Sequence, residues 1–333
     1  MKKLFLYILP LISLLWVGCE EKVIDIDPGL TEKKPVVMAR VEADSTVSIR
    51  LTYSRFFLDT HPFAEIDNAT VNLSVNGAPT TAAMTRLGGN YSIAYVPQPG
   101  DRLELRVLVP GCDEPITAET TVPSSPVVSA AQVSQGTDNA GSPVFNIRFR
   151  LTDNAASQDY YSIRLRSIDT LIHTHNINEY STVVVSDTTP RDMYMSFTCN
   201  DVMLTDNTNL SLDMNLDGST PMNWLPFSDE LISGTAHDIT ISIYRDTAGT
   251  ANTGGGTAGT YVDIYQHTIP KLYLEVTSYS YDRYLYELTL SSYDGDMLSA
   301  MFTEPVQIHT NVQGGIGIFA ASSRSVQQLQ MNE

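Results

Sequence analysis

From residue 35 onward, apolar and polar positions alternate in short runs separated by turn residues, the period-two pattern of half-buried strands. The pattern predicts strands at 36–41, 47–53, 70–75, 91–95 and 103–109, with 117–122 closing the group. Turn signals stand at Asn76-Gly77, Gly88-Gly89-Asn90 and Pro99-Gly100-Asp101. Asn76-Gly77 is the sharpest hairpin signal, because both residues tolerate positive φ. Some seven short strands in ~100 residues is the rhythm of an immunoglobulin-like β-sandwich.

Pro123-Ser124-Ser125-Pro126 resists both helix and sheet ladder and marks the domain boundary. Strand patterns resume at 127–133, 144–151, 160–167, 239–245, 261–267 and 272–277. Residues 170–235 are less regular and predict a long insertion with one strand at 181–186. Residues 247–260, rich in Gly, Thr and Ala, are expected to form a mobile loop. One helix is expected at 280–292, where Tyr281, Tyr284, Leu285 and Leu288 recur at three- and four-residue spacing; an aromatic strand is the alternative. Strands at 306–310 and 316–321 would close the sheet, and 322–333 reads as a polar tail. The expected fold is mostly β: an immunoglobulin-like sandwich over 35–123, then a larger second β-sandwich domain over 124–333 with one short helix and the long insertion.

The first residues change the picture. Lys2 and Lys3 precede an apolar run over 4–17, followed by Gly18, Cys19, Glu20 and Glu21. The run is shorter than the ~18–20 residues that span a bilayer, and its basic head and small-residue junction describe a secretion signal. With a cysteine just after the small residue, it resembles a bacterial lipoprotein signal over 1–18, although Trp16 stands where such motifs usually carry Leu. Cys19 would become the lipidated first residue, and 19–34 a tether. Signal removal would take away two lysines and no acid, moving the formal charge from −18 to −20. So acidic a chain is ill suited to nucleic acid or anionic lipid. Apart from Cys19, only Cys112 and Cys199 are present; they could pair in an oxidising compartment, or remain as two free thiols.

Candidate chemistry is sparse. Asp213-Met214-Asn215-Leu216-Asp217-Gly218 has the D-x-N-x-D-G spacing of a calcium loop, with Asp213, Asn215 and Asp217 as oxygen ligands. The twelfth position is Trp224 rather than the bidentate Glu, which favours an acidic surface turn over calcium. His173 and His175 would share one side of a strand, as zinc ligands sometimes do, but no third ligand is identifiable in sequence. His61, before Pro62, reads as a surface residue. Tyr279, Tyr281, Tyr284 and Tyr286 suit core packing better than a ligand platform. Nucleophile, zinc-protease and phosphate-loop motifs are absent, so the expected role is binding rather than catalysis.

The C-terminal third carries a resemblance. Phe302-Thr303-Glu304-Pro305-Val306, Asn311-Val312 and Gly314-Gly315-Ile316-Gly317-Ile318-Phe319 are similar to the closing signature of the Bacteroidota lipoprotein family catalogued as domain of unknown function 4249. Phe227-Ser228-Asp229-Glu230-Leu231-Ile232-Ser233-Gly234, the tyrosine-rich 279–286 segment, Cys19–Ile26, Asn68-Ala69-Thr70-Val71 and Thr121-Val122-Pro123 extend the likeness over nearly the whole mature chain. The resemblance implies a two-part β-sandwich lipoprotein on the outer membrane, facing the cell exterior, often encoded beside TonB-dependent transporters. It implies no catalytic residues. The glycines themselves read as structural, suiting a tight turn or bulge. The role expected is a non-catalytic accessory to such a transporter, of unknown substrate. A structural or adhesive surface protein, or a hydrolase acting on carbohydrate or peptide, are the alternatives.

Overall fold

The computed structural model describes residues 33–56, 59–138, 140–178, 181–205, 226–244, 252–255, 262–267, 271–291 and 307–330, with 171–178, 181–187, 205, 252–255 and 262–267 described by backbone alone. Lys2–Val17, Cys19 and the calcium-like loop at Asp213, Asn215 and Asp217 lie outside these residues.

The first sandwich holds β1 (Pro35–Glu42), β2 (Val47–Tyr53), β3 (Thr70–Val75), β4 (Ala78–Pro79), β5 (Met84–Leu87), β6 (Asn90–Ile93), β7 (Arg102–Leu108) and β8 (Ile116–Thr121). One sheet runs β1-β2-β6-β5 and the facing one β4-β3-β7-β8. With β1–β8 taken as A, B, C, C′, D, E, F and G, these are the ABED and C′CFG sheets of the immunoglobulin fold. The expected hairpin at Asn76-Gly77 joins β3 to β4, with φ of 52° and 82°, both positive as a type I′ turn requires. Inward positions Val37, Ile49, Leu51, Leu103, Leu105 and Val107 are almost fully buried, and each such side chain contributes about 1.5–3 kcal/mol. The buried Tyr91 hydroxyl donates to Ile66 O and accepts from Ala69 N, both at 3.0 Å.

The second sandwich repeats the plan. It holds β9 (Val127–Thr137), β10 (Pro143–Thr152), β11 (Tyr160–Asn178), β12 (Ser181–Met195), β13 (Thr198–Cys199), β14 (Pro226–Ser228), β15 (Ala236–Tyr244), β16 (Asn252–Gly255), β17 (Val262–His267), β18 (Lys271–Tyr279) and β19 (Ile316–Leu329). The order β9-β10-β15-β13 matches ABED, and β11-β18-β19 matches CFG. Phe149, Ile163, Leu165, Ile241, Leu274 and Val276 fill its core.

β11 is far longer than the strand expected at 160–167. Its first half pairs with β18 as far as Ile168↔Lys271. The rest continues as a blade flanked by β12 and β17, with β16 beyond β17. The start of the expected insertion is therefore a hairpin of the sheet itself. Part of the expected mobile loop, Asn252–Gly255, is a strand, because the edge of β17 offers free backbone groups to any chain able to extend.

β19 serves both sandwiches. Ile316–Ser322 pairs parallel with β1, and Ser322–Leu329 pairs antiparallel with β18. The polar tail expected from 322 is thus a strand. Its Ser and Gln residues carry no apolar alternation, yet Ser322 and Ser323 are buried where the two pairings meet. The strand expected at 306–310 is irregular where it is described. Instead Asn311 acts as a side-chain strand partner: its Oδ1 accepts from Phe319 N (3.0 Å), and its Nδ2 donates to Phe319 O (2.8 Å) and Glu119 O (3.0 Å).

The helix forms at Tyr281–Ser291, where Ser280 Oγ caps Arg283 N at 3.4 Å. The face it buries is not the expected one. Arg283, Tyr286 and Glu287 are buried, whereas Tyr281 is 56 % exposed. Arg283 and Glu287 form an i,i+4 ion pair at 2.6 Å, so two charged residues go inward as a pair while Tyr286 joins Ile318 and Ala320 in a small core.

Among the described residues, 55–56 and 59–62 fall outside the compact unit that contains both sandwiches. There the exposed His61 donates its backbone N–H to Asp59 (3.0 Å) and pairs with it through Nδ1 (2.7 Å), which holds the Asp59 carboxyl below its usual range.

Candidate functional site

Three strand ends of the second sandwich bring acidic side chains together. Asp153 follows β10, Asp159 precedes β11 and Asp229 follows β14, and one carboxylate oxygen from each lies within 4.8 Å of the others. Asp153 and Asp229 are buried and Asp159 half-buried. Backbone pairing sets this approach: Asp159 N donates to Asp229 Oδ2 (2.9 Å), and Asp229 N donates back to Asp159 O (3.0 Å). Asp153 accepts from the Tyr161 hydroxyl and from Gly234 N, both at 2.8 Å, and Asp159 accepts from Ser157 Oγ at 3.1 Å.

Burial first, and neighbouring carboxylates after it, raise the pKa of both Asp159 and Asp229. Burial likewise raises that of Tyr161, helped by its bond to Asp153. Carboxylates so placed suit a hard divalent cation or shared protons. Each also accepts a hydrogen bond, so the cluster stands as a clasp between loops without any further group. Pattern reading missed it because Asp153, Asp159 and Asp229 come from separate turns. The one available signal was Asp229 inside the Phe227–Gly234 motif.

The residues singled out in the sequence scatter. Cys112 is exposed in the turn after β7 and Cys199 is buried in β13; both thiols are free. The disulfide does not form, since the two residues belong to different sandwiches. Burial pushes the Cys199 thiol up to about 11, and it donates to Thr240 O at 3.3 Å, which leaves it chemically quiet. The tyrosine cluster divides. Tyr279 and Tyr286 are buried, while Tyr284 stacks on Tyr160 at 4.5 Å and Tyr281 packs beside it at 5.4 Å.

His173 and His175 lie on the β11 blade, opposite Asp187 and Val185 of β12 and opposite Tyr265 and Asp263 of β17. The glycine signature is structural, as expected. A Cβ on Gly314 would come 2.9 Å from Pro115 O, one on Gly315 2.9 Å from Pro35 O, and one on Gly317 2.0 Å from Val37 O. These glycines let the chain enter between β1 and the neighbouring sheet.

Fold and site together define a tandem immunoglobulin-like sandwich protein whose acidic cluster ties loops. The chain belongs to the family described as domain of unknown function DUF4249, whose profile matches residues 20–328. No curated protein matches it. Among solved structures, the chain is similar at 9 % identity to the collagen-binding domain of surface protein RspB from Erysipelothrix rhusiopathiae. That match covers 88 % of this chain and 96 % of the other, at a TM-score of 0.12, too low to carry an argument.

Proposed function

We propose that the protein is a non-catalytic lipoprotein of the Bacteroidota outer membrane, anchored through Cys19 and facing the cell exterior, where it assists a TonB-dependent transporter in capturing its ligand. The observation that carries this reading is the basic–apolar–Gly18-Cys19 start followed by Glu20 and Glu21. Two acyl chains or more, at roughly 0.8 kcal/mol per buried methylene, would make such an anchor permanent. Family membership over residues 20–328 supports it. The β11–β12 hairpin also supports it, since this sheet continues past the last rung with β18 and offers surface for a partner or ligand.

The test has two arms. Metabolic labelling with a fatty acid should mark the mature protein and should fail in Cys19→Ala. Purification from detergent-solubilised membranes should bring down a TonB-dependent transporter. An unlabelled protein would overturn the anchor, and labelled protein recovered without any transporter would overturn the accessory role alone.

A further inference from the structure

An unpaired sheet edge invites another chain, and proteins blunt it by shortness, charge, proline or cover. Among the described residues, β4, β13, β14 and β16 are two to four residues long, and β5 has four with Arg86 among them. β8 is met by the Thr117–Gln313 bridge and by Asn311 Nδ2 on Glu119 O (3.0 Å). β12 carries Asp187, Pro190, Arg191 and Asp192. β9 differs from all of them. It is an 11-residue strand bonded on one side to β10, and none of its residues is buried. No charged residue stands between Glu119 and Asp138, in a chain of formal charge −18.

Only the first residues of β9 are closed off. Gln327 Nε2 donates to Val128 O at 2.6 Å, and Ala130, with φ of 52°, sits at the bulge that breaks the register between Arg148 and Arg150. Beyond it Gln132–Thr137 pairs with β10 in unbroken register, and its outer edge meets no other described strand. The occupant that fits this edge is a second copy. Two acidic chains repel, but salt screens charges more than about 8–10 Å apart, and here no like charges would be opposed. The flank beside the edge carries Arg148 and Arg150 against Asp238, paired at 2.7 Å, so the acidity of the chain lies elsewhere. A two-fold axis normal to the sheet keeps each residue on its own face, so one residue must oppose itself. With the axis at Ser134, Val133 lies across from Gln135, Gln132 from Gly136 and Ala131 from Thr137, all small, apolar or uncharged polar residues.

We propose that β9 is a dimerisation edge, where a second copy of the chain adds its own β9 antiparallel through residues 131–137 and joins the two four-stranded sheets into one. The interface is independent of the transporter role, since it needs neither the lipid anchor nor another protein.

The test is sedimentation velocity of the full-length protein in density-matched detergent, from micromolar to near-millimolar concentration. The wild type should show a monomer–dimer equilibrium. Gln132→Lys/Ser134→Lys, which sets like charges across the axis at exposed positions, should weaken it roughly tenfold or more. Ser124→Lys/Ser125→Lys, the same charge change in the exposed turn before β9, should leave it unaltered. A wild type that stays monomeric would overturn the proposal and leave the edge to a strand of another protein; equal association in all three, or equal weakening in both variants, would overturn it too. Should the first variant not fold, cysteine pairing decides. In a Cys112→Ser background, Ser134→Cys brings two Cβ atoms to about 4.5–5.5 Å across the axis and should form an intermolecular disulfide on mild oxidation. Ser129→Cys lies roughly 34 Å from its counterpart and should not, and a disulfide at 129 without one at 134 would overturn the interface.

Discussion

Replacing Gly317 by Ala tests whether the glycine signature is there to let β19 lie against β1. Gly317 has φ of 116° and sits opposite Val37 in the parallel pairing. An alanine there costs about 1–3 kcal/mol in backbone conformation alone. Its Cβ would also meet Val37 O at 2.0 Å, where ordinary contact begins at 3.4 Å, so the strands must part by the 1.4 Å difference. A backbone carbonyl cannot rotate out of the way as a side chain can. Parting the strands weakens two or more neighbouring ladder bonds at about 1 kcal/mol each and loosens the core that holds Val37 and Phe319, both fully buried. The total comes to about 3–5 kcal/mol, a large share of the roughly 5–15 kcal/mol that holds a domain folded.

Equilibrium unfolding in guanidinium, followed by circular dichroism, measures the loss. Gly77→Ala is the matched comparison, because Gly77 also has positive φ (82°) but a Cβ there meets nothing within 4 Å. It should lose only about 1–2 kcal/mol. If Gly317→Ala loses no more than Gly77→Ala, the steric argument fails and the glycine must be explained otherwise.

Two further perturbations follow from buried charge. Glu287→Ala leaves Arg283 in the interior without its partner and should cost about 3–5 kcal/mol, whereas Arg283→Met/Glu287→Leu should be close to neutral or stabilising in the same unfolding assay. The acidic cluster predicts a pH dependence. Raised folded-state pKa values at Asp159 and Asp229 mean that their contribution to stability is fully present below the ordinary aspartate pKa and lost as pH rises through the raised values. Asp159→Asn should flatten the fall in stability that sets in as pH rises above the ordinary aspartate range, and an unchanged slope in thermal melts there would contradict the assignment.

Much of the β architecture was legible because strand faces in both sandwiches alternate cleanly, as β1 and β7 show in their strict buried–open rhythm. Asn76-Gly77 was legible because a two-residue type I′ turn leaves few chemical choices. The helix was found, but its buried face was misread: pattern reading sends charges outward, and Arg283 and Glu287 go inward together. The Ser- and Gln-rich half of β19 was missed for the reverse reason, since it pairs through backbone and carries little apolar signal. Convergence of Asp153, Asp159 and Asp229 depends on which strands become neighbours, and no local window contains that information. The same holds for the blade, where the register supplies neighbours to His173 and His175 that spacing alone could not name.

Because β1 waits for β19, the first sandwich cannot finish its sheet until almost the last residue has been made. Contacts this remote in sequence are slow to form. If the chain is exported amino end first, as proposed, such a delay would be useful: the leading half would stay loose enough to thread, and both halves would lock only once the trailing end had arrived. A truncation from Ile316 onward would therefore be felt at β1, where Val36 pairs with Ile316 some 280 positions away.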